Sequence, residues 1–173
     1  MTDPSVLNFA YGSNLDPHLM ASRCVGDCAR VGAAVLRDYR LAFEGYAPRD
    51  AGPFARGSAV YVPAVFATVR PAPGAVVHGL LYRVGARGLR QLDRCEGVPS
   101  LYLREAVTVE LADGSTAEAC TYLHQGGHRG PPDAGYLDGI LQGYLREGFP
   151  TGPLASASMT AHRLAGFSFG GGR

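Results

Sequence analysis

At 173 residues, with 46% hydrophobic and 18% charged residues, the chain has the balance of one globular domain large enough to bury a core. A net charge of +1 with no basic stripe argues against nucleic acid as a partner, and no apolar run is long enough for a membrane-spanning helix. There is no lysine, all sixteen cationic side chains being arginine, which excludes Schiff-base chemistry, an anchored pyridoxal phosphate and a Walker-type lysine.

In chain order, Val6 to Tyr11 is a short apolar run that predicts a buried strand, followed by the turn Gly12-Ser13-Asn14. Asp16-Pro17 starts a helix that should run to about Arg23, with aspartate as N-cap and proline at the first helical position. Ala29 to Leu36 and Tyr39 to Tyr46 read as two strands, and residues 47–57 as a surface loop rich in Pro, Gly, Asp and Arg. Ser58 to Val69, broken by Pro63, reads as a bent or edge strand. Val76 to Val84 reads as the next strand, reached through the turn Pro71-Ala72-Pro73-Gly74. Arg87 to Glu96 predicts a short helix stopped by Gly97. Leu103 to Leu111 and Thr116 to Leu123 predict a hairpin across Asp113-Gly114. After a Gly- and Pro-rich loop, Ala134 to Glu147 predicts an amphipathic helix. Its apolar side holds Tyr136, Leu137, Ile140, Leu141, Tyr144 and Leu145, and Gly139 and Gly143 allow close packing. Residues 1–150 are expected to form the domain and 151–173 a small, polar, loosely held tail that chemistry does not need. Many strands and few helices predict an α+β fold, most simply a sheet curled into a barrel with helices outside.

The four cysteines are Cys24, Cys28, Cys95 and Cys120, read as free thiols. Cys24 with Cys28, and His124 with His128, have the spacing of metal ligands on a helix, but the glycines between them predict turns, so no metal site is expected. The N-terminus lacks a basic stretch followed by an apolar one, so no signal peptide is expected and the cytoplasm is the expected location.

Two segments carry chemistry. Glu96 follows Leu89 and Leu92 at spacings of three and four, which puts its carboxylate on their face, at the negative end of a helix. Desolvation and the helix dipole both raise a carboxylate pKa, which suits a general acid/base. The alternative is a frayed surface residue at a helix end. The turn Tyr11-Gly12-Ser13-Asn14 offers successive backbone N–H groups before a helix, a place for a carboxylate or oxyanion. The alternative there is a plain strand-to-helix connection. Neither Ser13 nor Cys95 has a local signature of a nucleophile paired with histidine.

Three segments together resemble the γ-glutamylcyclotransferase (AIG2-like) family: Phe9-Ala10-Tyr11-Gly12-Ser13-Asn14-Leu15; Leu92-Asp93 with Glu96-Gly97-Val98-Pro99 and Tyr102; and Tyr136 through Pro150. The resemblance spans about residues 7–150. It implies a small mixed β-barrel flanked by helices, acting on a small-molecule γ-glutamyl substrate without a cofactor, as a monomer or homodimer. It implies Glu96 as catalytic base and acid, and Tyr11, Gly12, Ser13, Asn14 and Leu15 as the substrate-binding turn. Tyr102, Tyr122 and Tyr136 match the family's pocket tyrosines. The implied reaction closes a γ-glutamyl amide or amino acid to 5-oxoproline and releases the amine, with a γ-glutamyl-removing tailoring enzyme or a non-catalytic binder as alternatives. Loops 47–57 and 124–133 are expected on the leaving-group side.

Overall fold

The computed structural model describes residues 5–45 and 65–167. Their order is β1 (Ser5–Ala10), a single 3₁₀ turn (Ser13–Leu15), α1 (Pro17–Arg23), β2 (Cys28–Gly45), β3 (Val65–Gly85), α2 (Ala86–Cys95), β4 (Tyr102–Leu111), β5 (Thr116–His124), β6 (His128–Arg129), α3 (Ala134–Glu147) and α4 (Gly152–Phe167). The expected strand over 58–64 and the loop 47–57 lie outside the described residues.

Five strands close a mixed barrel in the order β3-β1-β5-β4-β2, with β2 returning to β3. All neighbours are antiparallel except β1 and β5, which run parallel and pair at Asn8 with Cys120. Two-residue β6 adds to the end of β2 at Glu44 and Gly45. With its four helices this is the α+β barrel that the sequence predicts. The core runs through the barrel, where Phe9, Leu36, Phe43, Val69, Leu80, Leu81 and Val109 are fully buried.

The local signals place the helices well. The Asp16 carboxylate caps α1 by accepting from the amides of His18 (2.8 Å) and Leu19 (3.4 Å). Asp133 caps α3 in the same way, and Gly148 ends it at φ 69°, the left-handed conformation that favours glycine. Along α3, Ile140 and Tyr144 are buried, but Leu145 turns to solvent at 57% exposure. Gly143 meets the turn closely: a Cβ there would lie 2.9 Å from Leu15 Cβ, whereas Gly139 faces open space.

Three expectations need correction. The two strands expected over 29–46 are one long strand, β2, with a register shift between Arg37 and Tyr39. The Pro71–Gly74 turn does not end a strand. It is an excursion within β3 opposite that shift, held by the Gly74 amide donating to Asp38 Oδ1 (2.8 Å). The tail from Thr151, read as loosely held, forms α4, which buries Leu154, Ala157 and Ala161 and packs on β2. Those positions are three and four apart, one helical face of a leucine and two alanines. Among the described residues, no helix is long and apolar enough to cross a membrane.

Candidate active site

The pocket opens where β1 ends, beside its brief pairing with β5, and its wall includes the Tyr11–Asn14 segment, Glu96, Tyr102, Tyr122 and Tyr136. Glu96 caps the C-terminus of α2, its amide donating to Leu92 O (2.9 Å), with Leu92 buried beside it. The side chain is only 12% exposed. Burial holds its carboxyl above the usual carboxylate range, opposed by the hydrogen bond from Asn14 and the charge of Arg23.

Asn14 Nδ2 donates to Glu96 Oε1 (2.8 Å). Arg23, in the last turn of α1, brings Nη1 to 2.7 Å from Asn14 Oδ1, 3.2 Å from Ser13 Oγ and 3.3 Å from Glu96 Oε1. The 3₁₀ turn closes through Leu15 N–H to Gly12 O (3.0 Å) and Asp16 N–H to Ser13 O (3.1 Å). As at any helical N-terminus, the amides of Ser13 and Asn14 have no partner within the turn itself. Gly12 passes close to the pocket wall, and a Cβ there would sit 3.3 Å from Ala67 Cβ and 3.7 Å from the Tyr136 hydroxyl.

The tyrosine hydroxyls are tied to backbone. Tyr102 donates to Ala67 O (2.9 Å), Tyr136 accepts from Ala67 N–H (3.0 Å), and Tyr11 donates to Tyr122 O. Burial is the main cause that pushes all three phenols up, Tyr136 to about 12, so they stay neutral donors at neutral pH. The result is a pocket of neutral hydroxyls and amides with one buried carboxylate at its edge. Such a site can move one proton to and fro while holding a polar substrate.

A model of the family described as gamma-glutamyl cyclotransferase, AIG2-like, matches residues 8–139. The chain belongs to that family. It is similar to the gamma-glutamylcyclotransferase of Mus musculus, 29% identical over 148 residues, covering 83% of this chain and 72% of that one. The human gamma-glutamylcyclotransferase is likewise 29% identical, over 152 residues and 86% and 74% of the two chains. A solved gamma-glutamyl cyclotransferase superposes with a TM-score of 0.73 at 26% identity, over 89% of this chain and 86% of that one. YkqA of Bacillus subtilis, at 23% identity and a TM-score of 0.67 over 92% of this chain and 55% of that one, shares the fold. This family member is therefore an enzyme of the gamma-glutamylcyclotransferase type.

In this family member Tyr11, Gly12, Ser13, Asn14, Glu96, Tyr102, Tyr122 and Tyr136 all border one pocket. Leu15 does not. A 3₁₀ turn rotates by about 120° per residue, so Ser13, Asn14 and Leu15 point three ways, and Leu15 goes into the core against Gly143. Its carbonyl accepts from Arg146 Nη2 (2.8 Å), so Leu15 anchors the turn to α3. Tyr122 borders the pocket, but its hydroxyl is committed to Asp93 Oδ1 (2.7 Å) on α2. Asp93 also binds Arg104 (2.6 Å), so this tyrosine braces the helix that carries Glu96.

Of the two metal-like pairs, Cys24 is buried, which is the main cause that pushes its thiol up to about 12, and His124 Nδ1 accepts from the Gly126 amide (2.9 Å). Among the described residues, no three His, Cys, Asp or Glu side chains gather as a metal site would need. The sequence reading missed Arg23. A single arginine ending a short helix has no local signal, because its partners lie on the preceding turn and on α2.

Proposed function

We propose that this enzyme cyclises a γ-glutamyl amine or γ-glutamyl amino acid to 5-oxoproline, with Glu96 carrying the proton. The substrate's α-ammonium gives a proton to the Glu96 carboxylate. The freed amine attacks the γ-carbonyl, a C–N bond forms, and the old amide C–N bond breaks. Glu96 returns the proton to the leaving amine, and the second proton, which the new ring nitrogen sheds as it becomes an amide, follows the same route, so the amine departs as an ammonium and the carboxylate ends as it began. The amides of Ser13 and Asn14, which have no partner within the turn itself, are suited to hold an anionic group of the substrate, and the neutral tyrosines shape the wall that folds amine and carbonyl together.

The observation that carries this reading is the Glu96 carboxylate, buried at the edge of the pocket and fixed by Asn14 (2.8 Å). A carboxylate whose affinity for protons is raised by burial is well matched to take one from an ammonium and return it near neutral pH. The test is mass spectrometry for 5-oxoproline after incubation with a panel of γ-glutamyl compounds. Release of 5-oxoproline with stoichiometric amine supports the proposal. Ligand binding without product would leave a binding protein on a cyclotransferase fold and overturn it.

A further inference from the structure

We propose that Arg23 is a positioning residue for this reaction: through a single guanidinium nitrogen it fixes the orientation of the Asn14 amide and keeps Glu96 a carboxylate. This rests on the reading of Glu96 as the proton carrier.

The geometry is a triangle. Arg23 Nη1 donates to Asn14 Oδ1 (2.7 Å), Asn14 Nδ2 donates to Glu96 Oε1 (2.8 Å), and Nη1 lies 3.3 Å from that same oxygen. An asparagine amide can flip, exchanging its oxygen for its nitrogen. With a cation on Oδ1 only one orientation survives, the one that gives Glu96 a donor. Without Arg23, the amide can present its oxygen to the carboxylate, which is repulsive. Ser13 Oγ, 3.2 Å from Nη1, ties the same nitrogen to the turn.

Arg23 does not itself border the pocket, so it acts through Asn14 and Glu96. It also stands where two helix ends meet. Arg23 is in the last turn of α1 and Glu96 caps the last turn of α2, and both ends carry the negative pole of the helix dipole. The groups facing Glu96 are Arg23 from α1, Asn14 from the 3₁₀ turn, and the neutral phenols of Tyr11, Tyr102 and Tyr136 from the end of β1, β4 and α3. Arg23 is the one cation that opposes the burial of this carboxylate among the described residues. Its side chain keeps 27% exposure, so a neutral replacement leaves no large void.

The test compares the full-length chain with Arg23→Gln, Arg23→Met and Arg23→Lys. The readout is the acid limb of kcat/KM against pH, which reports the base of the free enzyme. An opposite charge at this range moves a carboxylate by about 1–3 units. The limb should therefore shift upward by at least about one pH unit in Arg23→Gln and Arg23→Met, with activity largely recovered at alkaline pH. Arg23→Lys, which keeps the charge and loses the planar fork, should return the limb most of the way. A uniform loss at every pH with an unmoved limb overturns the proposal, and so does failure of both neutral variants to fold. A second readout separates this from the proposed function: the ¹³C carboxyl titration of Glu96 in labelled protein, assigned with Glu96→Gln. If it moves in Arg23→Gln while the wild type makes no 5-oxoproline, the hold of Arg23 on the Glu96 carboxylate stands and the reaction falls. If the wild type turns over and the titration does not move, only the role of Arg23 falls.

Discussion

Glu44 and Glu96, two carboxylates with little exposed surface, stand in opposite circumstances. Glu44, on β2, has a side chain 3% exposed and faces two guanidiniums. Arg70 donates to its Oε2 through Nε (3.0 Å) and Nη2 (2.5 Å), and Arg129 stands 3.7 Å from Oε1. Arg70 also holds the His124 carbonyl (2.6 Å), so this carboxylate sits in a network that ties β2, β3, β5 and β6. Glu96 has one arginine at 3.3 Å and one amide. The first carboxylate is met by two guanidiniums and ties four strands together. The second is undercompensated, its charge costly and its proton exchangeable. A buried acid becomes useful when its surroundings leave it partly unsatisfied at the edge of a pocket.

The sharpest way to break this contrast is Glu96→Gln. Glutamine keeps the shape and can still accept from Asn14 Nδ2, but it cannot take a proton from an ammonium. General acid/base catalysis contributes about 10²- to 10⁴-fold. One group serving both transfers puts the expected loss of kcat at the upper end, about 5 kcal/mol of barrier. Substrate binding, measured by calorimetry, should change little because the turn is intact. Turnover within a few-fold of wild type would make Glu96 as structural as Glu44.

The converse substitution is Glu44→Gln, where stability should fall and turnover per folded molecule should stay within a few-fold. Removing one partner of a fully buried pair costs about 3–5 kcal/mol. Arg70 keeps 28% exposure and can recover water, so about 1–3 kcal/mol is expected here. Thermal unfolding reads this as a drop of about 2–4 °C per kcal/mol for a chain of this size. A Glu44→Gln protein of normal stability and low turnover would reverse the assignment of the two roles.

What the sequence made legible follows the range of the interactions. The aspartate cap at Asp16, the stop at Gly97 and the Asp113-Gly114 hairpin are written within a few residues, and the elements they bound are found where expected. The face shared by Leu89, Leu92 and Glu96 was also local, and it brings the carboxylate to the pocket. What failed needed long-range knowledge. Pro71 and Gly74 read as a turn, because nothing nearby announces that β2 carries a matching irregularity at Asp38. The Ala- and Ser-rich stretch of α4 read as loose, although alanine is the best helix former and small residues fit against β2. Leu15 was grouped with the expected binding turn by the family resemblance, whereas a 3₁₀ turn sends neighbours in different directions. Arg23 was invisible because its partners come from two other elements.

The contact that seats the turn gives a smaller effect. In Gly143→Ala the new Cβ would lie 2.9 Å from Leu15 Cβ, an atom next to the backbone that cannot swing away. Overpacking of this kind costs about 1–3 kcal/mol, offset by about 1 kcal/mol of helix propensity, for a net loss of about 1 kcal/mol. The strain should pass to the turn and lower kcat several-fold without touching Glu96. Gly139→Ala is the control on the same helix: it meets open space, so it should gain up to about 1 kcal/mol and leave kcat alone. Equal effects of the two alanines would show that the turn is not seated by α3.

The subtlest expectation is that Glu96→Gln, while abolishing turnover, makes the folded protein more stable at neutral pH. Burial raises the Glu96 pKa in the folded state, so between the unfolded and folded pKa values the native protein binds the extra proton. Stability then falls as pH rises through that window, because the native state must give up a proton it holds more tightly than the unfolded chain does. Below the unfolded pKa both states are protonated and the burden disappears. Glutamine carries no charge at any pH, so the variant escapes the cost, and Arg23 can turn its part-exposed side chain to water. Substitutions that relieve a functional site in this way commonly gain about 0.5–2 kcal/mol. The measurement is Tm of both proteins from about pH 4 to pH 8. The gap should be small at the acid end and widen as pH rises through the folded pKa of Glu96. Glu44→Gln should lie below wild type at neutral pH, so the two substitutions move Tm in opposite directions there. A Glu96→Gln protein less stable than wild type at pH 8 would mean that Arg23 and Asn14 compensate the carboxylate fully, and the contrast between the two glutamates would then rest on position alone.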